Sequence, residues 1–79
     1  MPRFFFDIHQ RHNVLADDEG SELPDLRTAE REALVSLRQL LADLLRGSGP
    51  IDVQQIQVAD AAGQVLAVVR LEDAMRSVR

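Results

Sequence analysis

An α+β fold is predicted by the order of the patterns along these 79 residues: apolar residues alternate near both ends, and a helical apolar periodicity fills the middle. The alternating segments predict two β-hairpins. The central segment predicts one long amphipathic helix that joins them in the order ββαββ. We expect a four-stranded, mainly antiparallel sheet in a single domain that spans residues 1–79.

The first hairpin is predicted over the N-terminal residues. Strand alternation over residues 3–9 places Phe4 and Phe6 on the core face and Phe5 on the opposite face. A polar turn then leads to residues 14–16, which predict a short second strand paired with the first.

The central helix is predicted from Leu26 to Arg46. Pro24 disfavours helical geometry in the residue before it, and Asp25 is suited to accept backbone hydrogen bonds as the N-cap. Gly47 follows the last turn, where a left-handed residue commonly ends a helix. The main apolar stripe consists of Leu26, Ala29, Ala33, Leu37, Leu40 and Leu44.

The third strand is predicted over residues 51–59, but its apolar residues follow two phases. Ile51 and Val53 are out of phase with Ile56 and Val58, which predicts a β-bulge or a late strand start near Gln54. Of these residues, Ile56 and Val58 are expected to face the core.

The fourth strand and the C-terminus complete the predicted fold. Residues 60–63 suit a tight hairpin turn, and residues 64–70 are almost all apolar, which predicts a central strand covered on both faces. Leu71, Met75 and Val78 have helical spacing, which predicts a short terminal helix packed on the sheet edge.

Three segments also carry a resemblance to a known family. The chain opens Met1-Pro2-Arg3-Phe4-Phe5-Phe6, residues 20–26 read Gly-Ser-Glu-Leu-Pro-Asp-Leu, and residues 60–66 read Asp-Ala-Ala-Gly-Gln-Val-Leu. With an Ala- and Glu-rich helix between them, the chain resembles a family of short bacterial proteins of unknown function over nearly its full length. Residues 11–13 depart from the Asp-Gly-like turn expected there. The resemblance implies one domain-sized unit and transfers no catalytic residue.

The composition limits the classes of function. Cysteine is absent, so disulfides and thiolate metal sites are excluded, and a core of this size leaves oligomerisation as the natural source of extra stability. The net charge of −4 opposes binding to a phosphate backbone. We see no export signal and no membrane-spanning stretch, and we therefore expect a cytoplasmic protein.

Two groups of side chains are candidate metal sites. Asp7, His9 and His12 provide carboxylate and imidazole ligands, but no further His or Cys completes a transition-metal shell, so solvated side chains near a turn are the simpler interpretation. The acidic residues between positions 17 and 25 lack the ligand spacing of a calcium loop and are better interpreted as favourable charge at the start of a helix. We expect no bound metal.

No catalytic or cofactor signature emerges from the remaining residues. Gly47-Ser48-Gly49 follows a helix instead of preceding one, so the helix dipole there disfavours phosphate. Ser48 has no histidine or acid at a recognisable catalytic spacing, and the chain contains no Lys, Cys or Tyr. We expect neither enzymatic activity nor a cofactor.

Excess apolar surface provides the leading functional hypothesis. Leu34, Leu41 and Leu45 form a second row beside the main helix stripe, and Phe5 lies on the second sheet face. This surface predicts a non-enzymatic interaction module that forms a homodimer or binds another cytoplasmic protein.

The alternative hypothesis comes from a different class of protein. Arg27, Arg31 and Arg38 form a stripe that could contact phosphates in a small, antitoxin-like regulator, especially if a dimer duplicates it. Neighbouring glutamates favour the simpler interpretation of a solvated face with local ion pairs.

Overall fold

The computed structural model describes residues 1–47 and 52–76. These residues form one antiparallel sheet with two helices on a single face. The elements in chain order are β1 (Arg3–Gln10), β2 (Val14–Leu15), β3 (Ser21–Glu22), α1 (Leu26–Leu45), β4 (Val53–Ala59), β5 (Val65–Arg70) and α2 (Leu71–Arg76). The predicted α+β class, with two hairpins joined by one long helix, is confirmed.

The sheet has the order β2-β1-β4-β5, so the two hairpins join through β1 and β4. β3 is a fifth strand that pairs with the start of β1, which corrects the predicted count of four. Its two residues, Ser21 and Glu22, are polar and carry no strand pattern of their own. An ion pair of 3.1 Å between Arg3 and Glu22 supports this pairing.

The boundaries of α1 follow from its capping residues. The Asp25 carboxylate accepts a hydrogen bond from the Thr28 amide at 2.8 Å, as predicted for an N-cap. Arg46, predicted as the last helical residue, is instead the C-cap, and Gly47 follows with a φ of 103°. Glycine adopts this left-handed conformation without a Cβ penalty, so the chain can leave the helix here.

The core lies between α1 and the sheet. Ala29, Ala33 and Leu37 of the predicted apolar stripe are buried against it. The predicted inward orientation of Ile56 and Val58 is confirmed, because both are almost completely buried. α1 packs mainly on β4 and β5 and contacts β1 less, so the helix lies off-centre, near the β5 side of the sheet.

Two β-bulges set the side-chain phases of the second hairpin. His9 pairs with Gln55 and Gln10 with Val53, so Gln54 is the extra residue, as predicted. Leu66 is a second extra residue, because Val58 pairs with Ala67 and Ala59 with Val65. Ile51, whose phase suggested the first bulge, lies outside the described residues.

The prediction that β5 is a central strand is wrong. β5 lies at the edge of the sheet, and only β4 pairs with it among the described strands. The Leu66 bulge changes the phase of the strand, so Val65 and Val68 face away from the helices while Ala67 and Val69 face them. The apolar run therefore reflects an exposed edge with apolar residues on both faces.

The predicted C-terminal helix is confirmed over residues 71–76. Ala74 is completely buried, and α2 packs against α1 as well as β5. The Asp73 carboxylate accepts the Arg70 amide at 3.0 Å, which holds the start of α2 against the end of β5. Val78, the last residue of the predicted pattern, lies outside the described residues.

Candidate interaction surface

One flank of α1 carries both residue sets that the sequence nominated from this helix. At about 100° per residue, the three leucines and the three arginines fall within one arc of the helix. We call this arc the α1 flank. It consists of Arg27, Arg31, Leu34, Arg38, Leu41 and Leu45. The residues predicted for protein binding and those predicted for nucleic-acid binding therefore form one surface, which lies beside β5 and α2.

The C-terminal half of the α1 flank forms an apolar groove with α2. The residues that line it are Arg38, Leu41, Ala42, Leu45 and Met75. Leu45 is 71% exposed and Met75 is 58% exposed, whereas Leu41 is half-buried. Two long apolar side chains are thus left in contact with solvent, side by side, on neighbouring helices.

The N-terminal half of the α1 flank forms a second groove, which is more polar. Its lining residues are Arg27, Glu30, Arg31, Leu34, Val68, Val69 and Asp73. Leu34 lies here, apart from Leu41 and Leu45, and α2 contributes one residue to each groove. Val68 makes this groove continuous with the exposed edge of β5.

The β5 edge adds further exposed apolar side chains. Val65, Leu66 and Val68 are between 37% and 47% exposed, in a strand with one charged residue, Arg70. In the sequence, these residues belong to the apolar run that predicted a central strand covered on both faces, and Met75 belongs to the predicted terminal helix.

Phe5 does not belong to this surface. It lies on the sheet face opposite α1, because it alternates with the core-facing Phe4 and Phe6. Its half-buried ring packs beneath Gly20, where an added Cβ would lie 2.9 Å from Phe5 Cε2. The structure thus separates Phe5 from the leucines with which the sequence grouped it.

Asp17 organises the loop that connects β2 with β3. Its carboxylate accepts backbone hydrogen bonds from Phe6 at 3.0 Å, Gly20 at 3.0 Å and Glu19 at 3.2 Å. Partial burial alone would raise the pKa of Asp17, but these three amide donors outweigh it and lower the pKa below its ordinary value. β2 pairs with one part of β1 and β3 with another, and Phe6 lies between these two parts. The Asp17 carboxylate thus supplies the hydrogen-bond acceptor that the Phe6 amide lacks at this point of the strand. The sequence had assigned this carboxylate to the start of the helix.

Arg27 and Arg31 are the two arginines of the α1 flank nearest to the start of α1. Among the described residues, Arg27 and Arg31 form no ion pair, which does not support the local pairs predicted for them. The Thr28 hydroxyl, followed by the Thr28 amide, lowers the pKa of Asp25, and the positive charges of Arg27 and Arg31 lower it further. These two arginines therefore contribute positive charge near the N-terminus of α1 without closing a salt bridge.

The residues weighed as metal ligands are dispersed. Asp7 Oδ1 accepts the Asp17 amide at 2.9 Å, so this carboxylate supports the β2–β3 loop. His9 lies within β1, and His12 lies in the exposed turn after it. Over residues 1–47 and 52–76, no group of three His, Cys, Asp or Glu side chains is placed to hold a metal ion.

The glycine-rich segment after α1 and the turn between β4 and β5 were the remaining sequence features. Gly47 ends α1, while Ser48 and Gly49 lie outside the described residues. Asp60 Oδ1 accepts the amides of Ala62 and Gln64, so this carboxylate holds the turn between β4 and β5. Neither helix in the described part of the chain has the length and apolar character that crossing a bilayer requires.

The geometry defines a class of small α+β domains, in which a sheet is covered by helices on one face and, within residues 1–47 and 52–76, one apolar strand edge has no partner strand. Comparison with known proteins then gives the family. The model of the domain of unknown function DUF6894 matches residues 3–72, and the chain belongs to this family. The predicted resemblance to a family of unknown function is thereby confirmed. No curated protein and no solved structure matches the chain.

Proposed function

We propose that this chain is a non-enzymatic protein-interaction module of the cytoplasm and that it self-associates as a homodimer through the α1 flank. The observation that carries the proposal is the exposed apolar pair Leu45 and Met75, which lies on the same flank of α1 as the groove that reaches the open edge of β5. Contiguous exposed apolar surface is typical of a protein-binding site. In a symmetric dimer, a single contact covers this surface on both copies.

Charge supports a protein partner over nucleic acid. The α1 flank contains three leucines besides its three arginines, and the chain carries a net charge of −4. Phosphate binding requires a positive surface that outweighs the repulsion from the rest of the molecule. Apolar burial supplies a larger share of the favourable energy when the partner is a protein.

The roles of the acidic side chains support a module without catalytic activity. Asp17, Asp25 and Asp60 each accept backbone hydrogen bonds within loops or at a helix start. Asp73 similarly accepts the Arg70 amide. General acid–base catalysis needs carboxylates that reach a substrate, whereas these four hold the chain in its fold.

The double variant Leu41→Gln/Leu45→Gln tests the proposal. Full burial of a leucine is worth about 1.5 to 3 kcal/mol, so covering the exposed part of Leu45 contributes about 1 to 2 kcal/mol per copy. In a symmetric dimer the single change Leu45→Gln then costs about 2 to 4 kcal/mol, which weakens association by roughly 30- to 1000-fold. The double variant is expected to be a folded monomer by sedimentation velocity and circular dichroism.

Val35→Gln is the matched control. Val35 is 48% exposed on the same helix but lies outside the α1 flank, so this change is expected to leave the dimer intact. If the double variant unfolds in proportion to lost monomer stability, the leucines are ordinary core residues. If it remains dimeric, the α1 flank is not the interface.

A further inference from the structure

The two edges of the sheet differ in what covers them. The outer side of β1 is occupied by β2, β3 and the Asp17 carboxylate between them. β5 has no comparable cover in the described part of the chain, although it is a six-residue strand of which five residues are apolar. Unprotected apolar edges readily pair with another strand, and folded proteins usually block them with charges, prolines or bulges. In β5 the Leu66 bulge and the charge of Arg70 lie on either side of Ala67, Val68 and Val69, which carry no such protection.

The hydrogen bonds around β5 indicate which backbone groups remain open. The Arg70 amide donates to Asp73, so the Gln55–Arg70 position does not use this amide in the ladder to β4. Hydrogen-bonded and non-hydrogen-bonded positions alternate in an antiparallel pair, so the Gln57–Val68 position is also non-hydrogen-bonded. The N–H and C=O of Val68 therefore point away from β4, towards the open edge.

We propose that β5 pairs antiparallel with β5 of a second copy, in a register centred on Val68, so that the two sheets become one continuous sheet. This proposal rests on the proposed self-association and specifies its geometry. Two-fold symmetry requires directly opposed residues to share a sheet face, so the symmetric register must be centred on a residue and not between two residues. Centring on Val68 opposes Val68 with its own copy, at a position whose N–H and C=O point to the open edge, and opposes Val69 with Ala67 of the second copy, both of which face the helices.

Packing favours a second copy in this register. The residues that pair, Ala67, Val68 and Val69, are all apolar, so no like charges are opposed at the centre of the seam. A two-fold axis perpendicular to the sheet keeps both α1 helices on the same face. Because α1 lies near the β5 side, the two α1 flanks then face each other across the seam.

Amide hydrogen exchange tests the pairing without any substitution. The Val68 amide is expected to exchange rapidly in dilute protein and at least about tenfold more slowly at concentrations where the dimer predominates. The Phe6 amide, bound by Asp17 within each copy, serves as the control and is expected to keep its protection at every concentration. A dimer whose Val68 amide gains no protection would overturn the edge pairing while leaving the proposed function intact.

Variants and mixed isotope labelling test the same contact in a second way. Val68→Pro removes the edge donor at a position where an edge strand tolerates proline, and Val68→Lys keeps the donor but adds a charge. Both are expected to be folded monomers, and a mixed labelled wild-type dimer is expected to show an intermolecular contact between the methyl groups of Ala67 and Val69. A dimeric, folded Val68→Lys variant would overturn this inference, and a wild-type chain that is always monomeric would overturn the proposed function with it.

Discussion

The substitution Asp17→Ala is expected to destabilise the fold strongly, because one carboxylate supports the whole β2–β3 loop. It removes the acceptor of three backbone amides, those of Phe6, Glu19 and Gly20. A hydrogen bond to a charged group contributes about 1.5 to 3 kcal/mol when buried, and partial solvent exposure reduces that value. We expect a total loss of about 2 to 3 kcal/mol, a large share of the roughly 3 to 5 kcal/mol that one core of this size supplies.

Urea unfolding followed by circular dichroism measures this loss. Asp18→Ala is the matched control, because Asp18 is an exposed neighbouring carboxylate that forms no side-chain hydrogen bond within the described part of the chain, and its loss is expected to change stability by less than about 0.5 kcal/mol. Protein concentration must be the same in each experiment, since dimerisation adds to apparent stability. If Asp17→Ala matches Asp18→Ala, the loop does not depend on this carboxylate.

The same carboxylate makes stability depend on pH. The folded state lowers the pKa of Asp17, so its stabilisation is complete above the ordinary unfolded pKa of about 3.9 and is lost as the pH falls through the lower folded value. The wild-type chain should therefore lose more stability between about pH 5 and pH 2 than Asp17→Ala does. Parallel acid limbs for the two proteins would contradict this assignment.

Two further predictions concern Gly20, the last residue of the β2–β3 loop, and the arginines of the α1 flank. Gly20→Ala should cost about 2 kcal/mol or more, since its φ is 73° and the new Cβ would lie 2.9 Å from Phe5 Cε2, whereas Gly63→Ala, with open space around it, should cost about 1 kcal/mol, as urea unfolding can show. Labelled duplex DNA should show no saturable binding in fluorescence anisotropy at about 0.15 M salt, with or without the changes Arg27→Gln and Arg31→Gln. Binding that weakens steeply with salt and is lost in that variant would favour the regulator hypothesis.

Local sequence signals predicted most of the elements. The N-cap at Asp25 and the bulge at Gln54 each depend on a few neighbouring residues, so the chain order alone reveals them. β3 was missed because its pairing with β1 is stabilised across the strands, by contacts such as the Arg3–Glu22 ion pair, and not by its own residues.

The candidate site was harder to predict because it depends on strand order. The apolar residues 65–69 fit a central strand as well as an exposed edge, and only the join between β1 and β4 places β5 outside. Similarly, five carboxylates between positions 17 and 25 look alike in the sequence, whereas in the fold only Asp17 reaches the Phe6 amide. Leu41 and Leu45 were predicted because helix periodicity alone places them on one flank.

Sedimentation equilibrium of the unmodified chain tests the central claim of self-association most directly. Measured from about 1 to 100 µM, the weight-average mass is predicted to rise from the 8.8 kDa chain mass towards twice that value and then to level off, as for a closed dimer. A mass that stays at 8.8 kDa throughout would contradict the account, because the α1 flank and the β5 edge would then remain uncovered.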